Sequence, residues 1–177
     1  MEKSVILVLF LLSLTCPKGL GQENPFLRDF LVRWDQSKAY LLAVAEAMPE
    51  ENYFQPPYPE GKSFAEQLMH IAVIIDWHAF SKFGGSEAAI RWEDFREQGK
   101  NKAQLIHEVA REFDRTKQLI EGFDPDKLDE TASYGKFSRT RRQFLLLLAD
   151  HVTHHRAQLI VYLRLQNIQP PDYINFQ

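Results

Sequence analysis

Cysteine is almost missing from this chain: of its 177 residues only Cys16 is one. A disulfide scaffold is therefore excluded, and so are a Cys-rich zinc module and a thiolate nucleophile in any part of the chain beyond residue 16. Long apolar runs are equally scarce. The longest, Val5–Leu14, is interrupted by Ser13 and is short for a bilayer span. Charge of one sign is lacking too: the formal net charge is -3, which does not point to nucleic acid or to an acidic lipid surface. No glycine-rich phosphate loop, Gly-x-Ser-x-Gly elbow or His-Glu-x-x-His motif occurs. What remains, 45% apolar and 25% charged residues, suits a globular protein with one core.

The amino terminus reads as an export signal. Lys3 supplies a positive start, Val5–Leu14 the apolar stretch, and Gly19-Leu20-Gly21 the small residues read by a signal peptidase. Residues 1–21 are thus expected to be a signal peptide cleaved before Gln22, leaving 22–177 as one periplasmic or secreted domain. Two alternatives are an uncleaved anchor and lipid attachment at Cys16, although Ser13-Leu14-Thr15 is a poor lipobox. After cleavage no integral membrane domain is expected.

Hydrophobic periodicity predicts four helices and no strand. The first covers about Pro25 to Met48, stopped by Pro49. A proline-rich connection to Lys62 follows, with Tyr53, Phe54 and Tyr58 expected to lie over the bundle. The second opens at Ser63, where Glu66 completes a capping box, runs to Phe80, and ends at Gly84-Gly85. It is apolar nearly all round, hence largely buried. Residues Ser86 to Gly99 suit a loop or a short helix carrying Trp92 and Phe95. The third helix spans about Lys102 to Glu121. The fourth starts between Ser138 and Thr140 and runs to about Gln166. Four helices of this size predict an all-α, antiparallel four-helix bundle.

Histidine placement carries the chemistry. Three of six histidines fall in His151-Val-Thr-His-His155. At about 100° per residue, His155 lies about 40° from His151 on the stripe that also holds Phe144, Leu148, Gln158 and Tyr162. Imidazoles on a core face need polar partners, and a metal ion at about 2.0–2.1 Å is one. His151 and His155, one turn apart, can converge on a single ion. His154 points about 100° away from His155 and cannot comfortably share it. A third ligand should come from a facing helix. His70, within Leu68-Met-His-Ile-Ala72, is the best candidate, the alternative being a core histidine bonded to a neighbour. His107 is expected in solvent and His78 partly buried. Asp76 either orients a ligand histidine or pairs with an arginine. Arg139, Arg141 and Arg142 form either a solvated surface or an anion-binding rim. A carboxylate di-iron bundle would need two Glu-x-x-His helices, and only one histidine-rich helix exists.

The run His151-Val-Thr-His-His-Arg-Ala-Gln158, continuing to Pro170-Pro171, resembles the final helix of the DinB-like superfamily, which typically reads His-x-x-His-His-Arg-Gly-Gln there. Ser63 to Ala72 resembles the helix that supplies that family's third ligand. The resemblance spans about Pro25 to Pro171. It implies a four-helix bundle holding a divalent metal on His70, His151 and His155, with His154 outside the ligand set, Arg156 structural, and Ala157 in place of the usual glycine. The family includes thiol-dependent S-transferases and isomerases, proteins described as metal-dependent hydrolases, and many without an assigned role. An export signal departs from the cytosolic thiol-dependent members.

Three functions follow as expectations. The first is a metal-dependent enzyme acting on a small molecule, by hydrolysis or by transfer to a thiol cosubstrate. The second is a metal-binding or stress-related bundle without turnover, and the third a degenerate bundle without metal. No convincing general base is visible; Gln158 and Tyr162 could polarise or position. Zinc, nickel and iron all suit imidazole ligands. A homodimer is compatible with this architecture.

Overall fold

Each helix of the protein begins where a side chain can accept the free amide protons of a first turn. The computed structural model describes residues 24–86, 88 and 90–177; the expected signal peptide and Cys16 lie outside the described residues. Asn24 accepts from the amides of Phe26 and Leu27 and opens α1 (Pro25–Ala47). Ser63 and Glu66 form the expected capping box on α2 (Phe64–Asp76). Asn101 with Gln104 and Thr140 with Gln143 make equivalent boxes on α3 (Lys102–Glu121) and α4 (Arg141–Leu165).

Two departures from the sequence reading stand out. The second helix does not continue as an α-helix to Phe80. It changes after Asp76 into a π-helical turn, Trp77–Phe83, closed by Gly84 and by Gly85 at φ 76°. That left-handed conformation suits glycine. The second departure is a β-hairpin, β1 (Thr131–Tyr134) paired antiparallel with β2 (Phe137–Thr140), where no strand was expected. It absorbs Ser138–Thr140, so α4 starts at Arg141 rather than earlier. Arg141 joins the hairpin to the π turn, bonding Glu130 Oε2 at 3.0 Å and the Phe83 carbonyl at 2.5 Å. Arg142 pairs with Asp129 at 3.0 Å, so Arg141 and Arg142 are engaged with the hairpin connection, while Arg139 lies over the Phe137 ring.

Helices α1 and α2 each contact both α3 and α4, which gives the bundle its ring order of α1, α3, α2, α4. Neighbour pairs show the directions. Lys102 at the start of α3 meets the carbonyls of Glu46 and Met48 at the end of α1, while Lys117 meets Asp35, so α1 and α3 run antiparallel. Phe64 contacts Tyr162 and His78 contacts Phe144, so α2 and α4 do as well. Arg142 lies over Phe26 and Arg156 over Tyr40, which makes α1 and α4 parallel neighbours. A four-helix bundle with parallel neighbours needs long connections; here residues 84–101 return the chain from the end of the π turn to the start of α3, and the 3-10 turn Trp92–Phe95 within them rests on α2.

The core is continuous through all four helices. Trp34, Leu41, Leu68, Ile71, Ile75, Phe113, Phe144 and Leu148 are buried, and the Trp34 indole donates to the Phe113 carbonyl at 3.1 Å. From the proline-rich connection only Tyr53 enters, donating to the Ala45 carbonyl at 2.6 Å; Phe54 and Tyr58 stay largely exposed, Phe54 against the Tyr53 ring and Tyr58 beside Tyr162. No helix among the described residues is long and apolar enough to cross a membrane.

Candidate metal centre

Residue α2 position 70 and the α4 pair face one another because α2 and α4 are antiparallel neighbours. The rings of His70 and His155 lie 4.6 Å apart between centroids, those of His70 and His151 5.2 Å, and those of His151 and His155 4.3 Å. One nitrogen from each falls within 4.8 Å of the others. Two bonds of 2.0–2.1 Å span at most about 4.2 Å, so small ring rotations suffice for a shared ion. The three residues expected from the sequence are thus brought together, and no other such group occurs among the described residues.

Burial keeps these rings neutral. It is the main cause that lowers His70 to a pKa of about 4, helped by His155 and Lys62, and His151 to about 3, helped by the neighbouring histidines. Burial also lowers His155, with Gln158 opposing and His154 and Lys62 adding to it. A neutral imidazole offers the lone pair a metal requires. His151 Nδ1 is moreover buried without a hydrogen-bond partner. The donor set therefore fits a divalent cation.

The surroundings orient the rings. His155 Nδ1 lies 3.1 Å from Gln158 Oε1 and 2.7 Å from the Gln67 amide, and the two glutamine side chains touch. With Nδ1 protonated and donating to Gln158 Oε1, Nε2 is left unprotonated. Gln158 also reaches His154 Nε2 at 3.0 Å, which occupies that exposed ring away from the cluster. A cavity of about 480 Å³ opens beside His155, lined by Tyr58, Glu60, Lys62, Gln67, Gln158 and Tyr162 among others. Tyr162 closes one side, its hydroxyl donating to the Lys62 carbonyl at 3.1 Å.

The remaining sequence candidates fall elsewhere. Asp76 pairs with Arg115 at 3.1 Å rather than orienting a histidine. His107 is exposed, as expected. His78 is buried more deeply than expected, at 4%, with its ring 6.1 Å from that of His151 and its pKa lowered by burial to about 4. Gln67, Tyr58 and Lys62 escaped the sequence reading. Gln67 carried a usable signal: an amide one turn before His70, in a segment otherwise apolar, needs a buried partner.

A four-helix bundle with three histidines converging from two of its helices defines the class of protein. The family model of the DinB superfamily matches residues 33–159, and the chain belongs to that superfamily. Among solved structures, the DinB-like protein YjoA from Bacillus subtilis is 22% identical, with a TM-score of 0.64 over 85% of this chain and 98% of that one. A DinB-like protein from Bacillus cereus is 16% identical, with a TM-score of 0.65 over 83% and 94%. YfiT from Bacillus subtilis, described as a probable metal-dependent hydrolase with an unusual four-helix bundle topology, is 16% identical, with a TM-score of 0.62 over 81% and 89%. No curated protein matches.

Proposed function

We propose that this chain is an exported metal-dependent hydrolase of small molecules, with His70, His151 and His155 as ligands of one divalent ion. The observation that carries the reading is the convergence of three neutral imidazoles, within 4.8 Å of one another, one of which, His155, stands at the wall of a cavity of about 480 Å³. A three-histidine ion keeps coordination positions open and, when bound, supplies Lewis acidity toward a water or a substrate atom. The chain's own residues supply the rest. Gln158 holds the tautomer of His155 and Gln67 bonds to Gln158, Tyr162 and Tyr58 flank the substrate space, and Lys62 places a positive charge near the histidines. The description of YfiT as a probable metal-dependent hydrolase supports hydrolysis over thiol transfer, as does the expected export, which removes the chain from cytosolic thiols.

The test is elemental analysis of untagged protein from its native compartment, with His155→Ala and His107→Ala prepared alongside. About one equivalent of zinc, nickel or iron is expected in the wild type and in His107→Ala, and a small fraction of that in His155→Ala. Equal occupancy of the two variants would overturn the ligand assignment. Azide-dependent changes in the absorption of cobalt-substituted protein would then separate an open, hydrolytic site from a closed, merely binding one.

A further inference from the structure

Arg156 follows His155 directly, and the helical turn of about 100° carries its side chain off the histidine face of α4 and against Ser37 and Tyr40 of α1. It is buried to 3% exposure, and among the described residues it is the buried lysine or arginine that faces no carboxylate within ion-pairing distance. Its partners are neutral. Nη1 donates to Ser37 Oγ at 2.8 Å and reaches the Ser37 carbonyl at 3.5 Å, Nη2 reaches Thr153 Oγ1 at 3.5 Å, and the guanidinium lies 4.8 Å over the Tyr40 ring. A buried cation without a counter-charge is costly. The two 3.5 Å contacts are weak, and they leave donor capacity on a group that has five N–H bonds.

A cavity of about 490 Å³ opens against this side chain, within the range of small-ligand sites. Its wall carries a second arginine, Arg164, for which no ion pair is found among the described residues. Tyr40, Tyr173, Ile160 and Val161 line the rest, and no Asp or Glu does. Asp172 acts on the Tyr40 hydroxyl, but its carboxylate accepts the Ile174 amide at 3.1 Å. Arg33 adds further positive charge, and with burial it lowers the Arg156 pKa.

We infer that this cavity is a binding site for a small organic oxyanion, a carboxylate or a phosphate monoester with an aromatic or short aliphatic body, held by Arg156 and Arg164. The head group supplies the missing counter-charge, and two planar forks suit its paired oxygens. Tyr40, Tyr173, Ile160 and Val161 receive the body. The site lies on the α1 side of α4 and does not depend on the three histidines, so it stands or falls separately from the proposed hydrolase.

Calorimetric titration of the mature protein with benzoate and with phenyl phosphate tests it, with benzyl alcohol as the neutral comparison and inorganic phosphate as the head group alone. One of the two organic anions is expected to bind at least about tenfold more tightly than benzyl alcohol, and which one it is identifies the head group. Arg164→Gln, an exposed position that should not disturb folding, should weaken that binding about tenfold or more, and Arg156→Lys should weaken it as well. His70→Ala should leave it unchanged. Absence of binding by both organic anions, unchanged affinity in Arg164→Gln, or loss of binding in His70→Ala would each overturn the inference. Inorganic phosphate binding as tightly as phenyl phosphate would overturn the assignment of the apolar wall.

Discussion

Two glutamine amides converge on one ring nitrogen of His155, Gln67 from α2 and Gln158 from α4. Gln158 Oε1 is placed to accept the Nδ1 proton, whereas Gln67 turns its Nε2 toward that nitrogen and donates to the same Gln158 oxygen, so Gln158 carries the tautomer and Gln67 steadies Gln158. Gln67→Leu should therefore cost little metal affinity, and Gln158→Leu more. Gln158→Leu should lose about 10- to 100-fold, the usual effect of removing the partner behind a ligand histidine, in competition with a chromogenic chelator. A loss in Gln67→Leu as large as that in Gln158→Leu would show that Gln158 does not hold the ring by itself. The same histidines set the pH response of the metal-free protein. His70, His78 and His151 have folded pKa values of about 4, 4 and 3, below the unfolded value near 6.5. Below that unfolded value the unfolded chain binds more protons than the folded one, so the stability these neutral rings confer is complete above about pH 6.5 and is lost as pH falls toward 4 and 3. A fall in Tm of several degrees between pH 7 and pH 5 is expected by scanning calorimetry, the exposed His107→Ala following the same curve and His151→Ala a flatter one.

Helix boundaries were readable where a side chain made the first turn. Ser63 with Glu66 announces α2 in the sequence, and the structure closes both bonds of that box, at 3.1 Å and 2.6 Å. Ser63→Ala should cost about 1 kcal/mol, roughly 2–4 °C in Tm for a domain of this size, and Ser63→Asp should recover most of it. No change in Ser63→Ala would mean that packing of Phe64 and Ala65 alone fixes the start of the helix. Other elements left no such mark. Thr131–Tyr134 and Phe137–Thr140 are four residues each, too short for a period of two to show against the polar connection around them, and the bonds of Arg141 to Glu130 and Phe83 that flank them form only in the folded chain. The π-helical turn keeps the apolar composition of α2 and differs only in its hydrogen bonds, which composition does not record. The same division runs through the candidate site. His151 and His155 share a helix face and can be paired by counting, and His70 is conspicuous as a polar residue in an apolar run. Gln67 meets His155 across 88 positions, and Tyr58 and Lys62 reach the cavity from a connection whose path only the folded chain defines.

The ring order of the helices makes the histidine cluster a tie between elements that are distant in the chain. α2 and α4 meet as antiparallel neighbours, separated in sequence by the whole of α3, the return connection and the hairpin. An ion held by His70 from one and by His151 and His155 from the other binds only when that pairing is complete, so its binding free energy adds to folding. At free metal about 100 times Kd the gain is about 2.7 kcal/mol, or roughly 5–11 °C in Tm. Calorimetry with and without added metal should show that gain in the wild type and in His107→Ala, its reversal by chelator, and its near disappearance in His70→Ala. The comparison is the metal-dependent increment within each variant, because removing a buried imidazole alters the baseline by itself. An increment retained in His70→Ala but lost in His155→Ala would place the ion on α4 alone, where it cannot draw α2 against it. The rise would then report local binding at one helix, with no contribution from closure of the bundle.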